Sequence, residues 1–287
     1  MKIITDNRCT AYHRQGHPER PQRVSRTVEK LREQTALPVS WGEPRPVQEP
    51  QLRRAHSDRH LARLDQSFDF DADTPAHPGI RDHALRSVGG ALEALELALE
   101  GEKAFSLLRP PGHHATVDRA MGFCYLNSMA IAVLEALGRG THKVAVLDFD
   151  VHHGNGTEAI LLPESRCAYF SVHQFPAYPG TGSASYQNAH NYPVIPGAPR
   201  KEYRGALERA LEDLRRFEPT LVGVSAGFDA YSKDPLSDAA LEQEDYYWLG
   251  TSLRGLDRPV FSILEGGYSN DLPDLILAYV RGLAGVD

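Results

Sequence analysis

The residues with the densest chemical content lie between Lys143 and Gly156, in the stretch KVAVLDFDVHHGNG. An apolar run of strand length, Val144 to Leu147, is followed at once by Asp148, Asp150, His152 and His153. The run then breaks at Gly154, Asn155 and Gly156. Side chains two apart on a strand share a face, so an extended conformation past Leu147 turns Asp148, Asp150 and His152 the same way. Two carboxylates and an imidazole converging at a strand end suit a divalent metal with mixed oxygen and nitrogen ligands. Read singly, each is an ordinary solvated loop residue. Three ionisable groups on one face, however, repel or desolvate one another unless a cation sits among them. One strand cannot surround an ion, so another ligand must come from elsewhere.

Three further places carry candidate chemistry. His113 and His114 follow Pro110-Pro111-Gly112. Alone they read as a surface or capping pair; beyond a strand that faces a metal motif, they suit general acid–base work. Asp229, in SAGFDA, reads alone as a turn or helix N-cap residue, and it can supply the missing metal ligand. Tyr268 follows Gly266-Gly267, whose flexible backbone can present a phenol into a site, although a lone Tyr is more commonly a packed one.

The elements that must position these groups follow from the periodicity. Ala104 to Leu108, Val144 to Leu147, Ala168 to Val172, Leu221 to Ser225 and Val260 to Leu264 read as strands, with a short opening strand at Lys2 to Thr5. Helices are expected from near Pro21 through Leu31, over Ile80 to Glu100, Leu126 to Leu137, Thr157 to Leu162, Tyr203 to Phe217, Asp238 to Leu253 and Leu272 to Leu283. Short helical turns are expected over Leu52 to Leu64. Leu37 to Pro50 reads as an irregular connection and Asp69 to Gly79 as a loop rich in turn formers. Alternating strands and helices imply a mainly parallel sheet covered on both faces. Five apolar strands each end in a polar, ionisable or Gly-rich motif, and sites in such sheets lie beyond the carboxyl ends of the strands.

Composition narrows the class. A chain of 287 residues is ordinary for one α/β domain. A net charge of −7 argues against general nucleic-acid binding and mildly favours cationic substrates. Cys9, Cys124 and Cys167 are scattered and odd in number, which suggests neither a disulfide framework nor a thiolate zinc site. The start MKIITDNRC has no apolar signal core and no run approaches membrane-spanning length, so a soluble cytoplasmic protein is expected.

Taken together, RPPGHH, GFCYLN, DFDVHHGNGT, SVHQF with YPGTG, AGFDA and EGGY resemble the histone deacetylase family of zinc amidohydrolases, in its class II-like bacterial branch. The likeness runs from HPERPQR to EGGY and implies one catalytic domain over residues 1–287, with an arginase-like three-layer α/β/α fold. It implies Asp150, His152 and Asp229 as zinc ligands and His113 and His114 as the catalytic histidines. Asp148 would pair with His113, Asn155 would stand behind His114, and Tyr268 would polarise the substrate carbonyl. Gly122, Phe123 and Tyr178 would line an acyl-lysine channel, with Gly266 and Gly267 also on the substrate side. Arg23 would lie near an acetate-release pocket, Asp73 would grip substrate backbone at the rim, and Asp148 with Ser171 would mark a structural potassium site.

The sequence departs from the family pattern in places. Asn155 stands where one branch has Asp, and an uncharged partner should raise the basicity of His114 less. The HQFPAYPG loop is short and Tyr178 replaces a common Phe, which leaves the acyl preference open. The expected activity is removal of acetyl or longer acyl groups from N-acyl-lysine or a related amine, with Zn2+ or, given the O/N ligand set, Fe2+. An acetylpolyamine amidohydrolase, an arginase-like ureohydrolase and a non-catalytic acyl-lysine binding module are the alternatives. Two-metal chemistry is the usual need of the ureohydrolase, and the intact histidines and Tyr268 speak against the binding module.

Overall fold

Eight strands form one sheet in which every neighbouring pair runs parallel, in the order β2-β1-β3-β8-β7-β4-β5-β6. The strands are β1 (Lys2–Ile4), β2 (Ser40–Gly42), β3 (Ala104–Ser106), β4 (Val144–Asp148), β5 (Cys167–Gln174), β6 (Ala189–Val194), β7 (Leu221–Ala226) and β8 (Val260–Leu264). Among the described residues, nine α-helices stand with them: α1 (Gln22–Glu33), α2 (Glu49–Leu52), α3 (Asp58–Arg63), α4 (Ile80–Leu99), α5 (Ser128–Gly138), α6 (Asn155–Leu161), α7 (Arg200–Phe217), α8 (Gln243–Arg254) and α9 (Leu272–Ala284). This computed structural model describes residues 1–286 of the chain.

The central strands are buried along their whole length, including all of Val144 to Asp148 and Leu221 to Ala226. A parallel strand with helices over both faces must be apolar on both, which explains the unbroken Val-Ala-Val-Leu and Leu-Val-Gly-Val runs. Helix α4 packs on β3, β8 and α5; α8 packs against α9, and α9 against α1; α7 lies over β4, β5 and β6. The result is the three-layer α/β/α architecture of the arginase-like fold.

Three expectations were displaced. β2 lies within the stretch read as an irregular connection and pairs with β1 through Lys2 and Ser40. At three residues beside Pro-rich flanks, it offers too little periodicity to read. β6 was not expected because Pro193 interrupts its alternation, yet β6 is the sheet's outer strand, where one backbone edge needs no N–H. Helix α8 starts at Gln243 rather than near Asp238, because Glu242 and Asp245 form a reciprocal capping box. The residues before it are held otherwise: Asp238 N–H donates to Gln174 Oε1 at 3.0 Å.

What matters for chemistry is the strand order. β3, β8, β7, β4 and β5 are consecutive neighbours, so the five segments that leave their carboxyl ends emerge side by side. Beneath them lies an aromatic floor. Phe149 meets Phe228 at 5.7 Å and Tyr279 at 5.5 Å between ring centroids, and Phe228 meets Tyr246 at 5.1 Å. Phe149 and Phe228 are fully buried and each precedes an acidic residue, Asp150 and Asp229. Their rings anchor the two turns and so hold those carboxylates in place.

Candidate active site

The extended backbone of β4 stops at Asp148, and this changes the expected grouping. Asp148 does not share a cluster with Asp150 and His152. Its Oδ2 meets His113 Nδ1 at 3.1 Å and accepts from Tyr169 Oη at 2.8 Å, while its Oδ1 accepts the Asp150 N–H. The chain bends after Asp148, and the bend sends Asp150 and His152 toward β7 and β8 instead.

There they meet Asp229. His152 Nδ1 lies 3.1 Å from Asp150 Oδ1 and 3.1 Å from Asp229 Oδ2. One donor atom from each of the three falls within 4.8 Å of the others. Backbone amides fix both carboxylates: Gly266 N–H donates to Asp150 Oδ2 at 2.7 Å, and Val151 N–H to Asp229 Oδ1 at 2.8 Å. The cradle is tight, since a Cβ on Gly266 would overlap Asp229 Oδ2 and a Cβ on Gly227 would overlap Asp150 Oδ2.

The electrostatics fit a cation. Burial, then the Asp150 charge, push Asp229 up to about 7. Burial also works against Asp150, but the charges and hydrogen bonds of His113 and His152 hold it well below the usual carboxylate range. Burial opposes charge on His152 too, yet bonds to Asp150 and Asp229 lift it well above its ordinary value. Two buried carboxylates this close need positive charge between them. A second group, His113, Cys124 and Glu265, is equally close. It is a poor metal site, because burial pushes the Cys124 thiol well up and the thiol donates to the Gly122 carbonyl at 3.2 Å.

The tandem histidines lie 4.0 Å apart between ring centroids, their planes tilted by 43°, and face different partners. For His113, burial favours the neutral ring, but Asp150 and Asp148 outweigh it and raise the imidazole to about 10. For His114, burial comes first and the positive charge of His113 second, and together they push it well below its ordinary value. His114 is therefore neutral. Its Nδ1–H donates to Asn155 Oδ1 at 2.8 Å, which leaves the Nε2 lone pair free.

A cavity of about 240 Å3 opens over these groups, lined by His113, His114, His152 and Tyr268 among others. Of the substrate-side residues expected from the sequence, Gly122, Phe123, Tyr178 and Asp73 line it. Phe123 has φ +67°, a left-handed backbone that bulky residues rarely adopt, and its N–H donates to Thr74 Oγ1 at 3.1 Å. That turn sets its ring edge-on to Tyr268, 5.7 Å away. Tyr178 is edge-on to His114 at 5.1 Å. Arg23 is buried behind Tyr268, with its guanidinium 4.8 Å from the ring centroid and its Nε donating to the Gly267 carbonyl at 2.7 Å. Gly266 and Gly267 thus hold the loop to Asp150 and Arg23 through their backbones. Ser171 sits opposite Asp148 in the β4–β5 register, and its Oγ lies 2.8 Å from His173 Nδ1.

Several participants escaped sequence reasoning. Glu265 is buried, accepts the N–H groups of Gly112 and His113 at 2.7 and 3.1 Å, and is pushed up to about 7 by burial and Asp148 against the pull of His113. It ties β8 to the histidine turn, and its place in EGGY was the available signal. Asp234 accepts the Tyr268 and Ser269 N–H groups, Tyr169 steadies Asp148, and Pro111 and Leu236 complete the cavity wall. Nothing in local spacing marks these four.

Comparison with known proteins agrees with this architecture. Residues 17–283 match the histone deacetylase domain. A probable deacetylase of Methanothermobacter thermautotrophicus is 37% identical, over 99% of this chain and 91% of that protein. Among solved structures, the HDA15 HD domain superposes with a TM-score of 0.92 at 31% identity, covering 99% of this chain and 91% of the other. An acetylpolyamine aminohydrolase from Burkholderia pseudomallei gives a TM-score of 0.89 at 27% identity, covering 99% and 98%. The match spans nearly the whole chain and agrees with the all-parallel sheet and its strand-end site, so the protein belongs to the histone deacetylase domain family and is a hydrolase of amide bonds.

Proposed function

We propose that the chain is a zinc-dependent deacylase that removes acetyl, and longer acyl, groups from N-acyl-lysine in peptides. The observation that carries this is the convergence of a neutral His114, with a free Nε2, and the Tyr268 phenol on the cavity that also receives His152. Asp150, His152 and Asp229 would hold the cation, and their oxygen and nitrogen donors suit Zn2+, with Fe2+ as the alternative. The cation supplies Lewis acidity and positive charge beside the reacting carbonyl.

The residues of the chain divide the remaining work. Phe123 and Tyr178 flank the aliphatic stem of the acylated amine and hold the amide at the cavity floor. His114 Nε2 takes a proton from the attacking water, and Asn155 keeps Nδ1–H turned away so that Nε2 stays the acceptor. The same nitrogen returns the proton to the departing amine. His113, paired with Asp148, keeps positive charge next to the reacting centre. The Tyr268 hydroxyl donates to the oxyanion as the carbonyl becomes tetrahedral. A structural potassium ion at Asp148 and Ser171 belongs to the same reading and rests on the resemblance.

A second reading, an acetylpolyamine amidohydrolase, draws on Asp73, whose carboxyl lies at the rim beside Asp71 and suits a cationic amine. The half-exposed Tyr178 and Leu236 at the mouth favour a peptide lying across it. The deciding experiment is kcat/KM on matched acetyl-lysine peptide, longer-acyl-lysine peptide and acetylputrescine. Peptide turnover at least equal to that of the polyamine is expected. A polyamine preference of ~100-fold, about 2.7 kcal/mol of transition-state discrimination, would reject the peptide assignment.

A further inference from the structure

Beside the candidate active site lies a second cavity of about 430 Å3 whose walls are unlike the first. Three arginines line it, Arg59, Arg63 and Arg119, together with Phe68 and Phe70. The Arg63 guanidinium is clamped between two rings, 3.9 Å from the Phe68 centroid and 4.1 Å from that of Phe70. Its Nη2 donates to the carbonyls of Phe68 and Asp69 at 2.7 and 3.0 Å, while its Nη1 is buried and has no hydrogen-bond partner. His60, 1% exposed, also lines the cavity; its Nε2 donates to the Tyr125 carbonyl and its Nδ1 is left without a partner.

The positive charge here is only partly compensated, since three guanidinium groups face a single wall carboxylate. Among the described residues, neither Arg59 nor Arg63 makes an ion pair, and Arg119 has only Asp71 at 3.8 Å. The one carboxylate in the wall, Asp118, is engaged by the Ser57 hydroxyl. On a chain of net charge −7, such a pocket is a local reversal of sign. Phe68, 62% exposed, adds an apolar ledge on which the methylenes of a side chain can rest.

Two chain segments connect this cavity to the candidate active site. Phe70 lines one and Asp73 the other; Ala120 lines one and Gly122 and Phe123 the other. Three residues span at most roughly 11 Å, so the two openings are neighbours. That is the reach of two to four residues of extended peptide.

We propose that this cavity is a subsite for an acidic side chain lying two to four residues from the acyl-lysine of a peptide substrate. The inference rests on the deacylase reading for the position of the acyl-lysine, and it adds a preference in sequence that the catalytic cavity does not carry. The carboxylate would meet Arg59 and Arg119 at the opening, in the field of the clamped Arg63, and the attraction would weaken with salt.

The test uses metal-loaded Tyr268→Phe protein, in which turnover is slowed, and fluorescent peptides bearing one acetyl-lysine. Glu or Gln is placed at each position from four before to four after it, and Kd is read by anisotropy. At one or more positions two to four residues away, the Glu peptide should bind about 5-fold tighter than its Gln twin, with the difference shrinking in 0.5 M salt. In an Arg59→Gln/Arg119→Gln background the twins should bind alike. The single variants, each on an exposed side chain, should show intermediate ratios and serve if the double variant folds poorly. Equal binding of the twins at every position, or a Glu preference that survives loss of both arginines, overturns the proposal. Glu-selective binding with no turnover of any acyl-lysine peptide by the unmodified enzyme would instead defeat the deacylase reading and leave the acidic subsite standing.

Discussion

Replacing Tyr268 by Phe removes one oxygen atom, and the structure allows its effects on folding and on chemistry to be separated. The hydroxyl makes no hydrogen bond to any described residue. The residue is held instead by its backbone N–H, which donates to Asp234 Oδ2 at 2.6 Å, and by its ring, set against Phe123 and Arg23. All of those contacts survive in Phe, so the melting temperature should move by less than ~2 °C. The lost atom is the proposed donor to the oxyanion. Deleting one such donor typically costs about 2.7–4 kcal/mol, and a nearby cation shares the charge here, so the lower end applies. That is roughly a 100-fold fall in kcat, with KM changed little because the contact forms only as the carbonyl becomes tetrahedral. Steady-state turnover of an acetyl-lysine peptide, metal content and thermal melting would be measured on the same preparation. A kcat within about 3-fold of the parent would refute the assignment, since a phenol aimed at the oxyanion cannot be that dispensable. A large fall accompanied by lost metal or a melting point several degrees lower would refute it too, by showing that the hydroxyl supports the fold.

Other perturbations test the cradle and its foundations. Asp229→Ala should lose most bound metal and nearly all activity while keeping the fold, and full metal occupancy by elemental analysis would remove Asp229 from the site. Gly266→Ala forces a Cβ onto the carboxylates of Asp229 and Asp150, so metal affinity should fall about 10- to 100-fold in a chelator competition; unchanged affinity would mean that the cradle yields easily. Glu19 is fully buried; burial would raise its carboxyl, but Arg109 and then Arg23 hold it at about 2 against an ordinary 4.5. A depressed folded value stabilises above pH ~4.5 and loses that stabilisation as pH falls toward 2, a linkage of roughly 3 kcal/mol. Glu19→Gln should therefore be less stable than the parent in urea at pH 7 and converge with it near pH 2, and a difference that does not shrink on acidification would contradict the pairing.

The legible part of the fold was the part written in neighbouring residues. β4, β7 and β8 stand as largely apolar, fully buried runs because both faces are covered, and each ends in the motif that carries its chemistry. Helix α4 announced itself through Leu85, Val88, Leu92, Leu95 and Leu99. β6 escaped because Pro193 breaks a pattern that only an edge position excuses, and β2 because three residues hold no period.

In the site, residue types and their order named Asp150, His152, Asp229, His113, His114 and Tyr268 as candidates, since few other arrangements gather such groups at strand ends. Sequence spacing also grouped Asp148 with Asp150 and His152, and there it was wrong. Alternation describes a strand only while the strand lasts, and the bend after Asp148 turns that carboxylate to His113 and Tyr169. The family resemblance had set Asp148 beside His113 and Asn155 behind His114, and both contacts are present. That burial and neighbouring charge part the two histidines into a charged and a neutral ring, and that Glu265 bridges β8 to the histidine turn, were decided by tertiary structure alone. Those outcomes depend on burial and on polar groups brought close from residues as far apart as Asp150 and Gly266, and no local pattern in the chain encodes that distance.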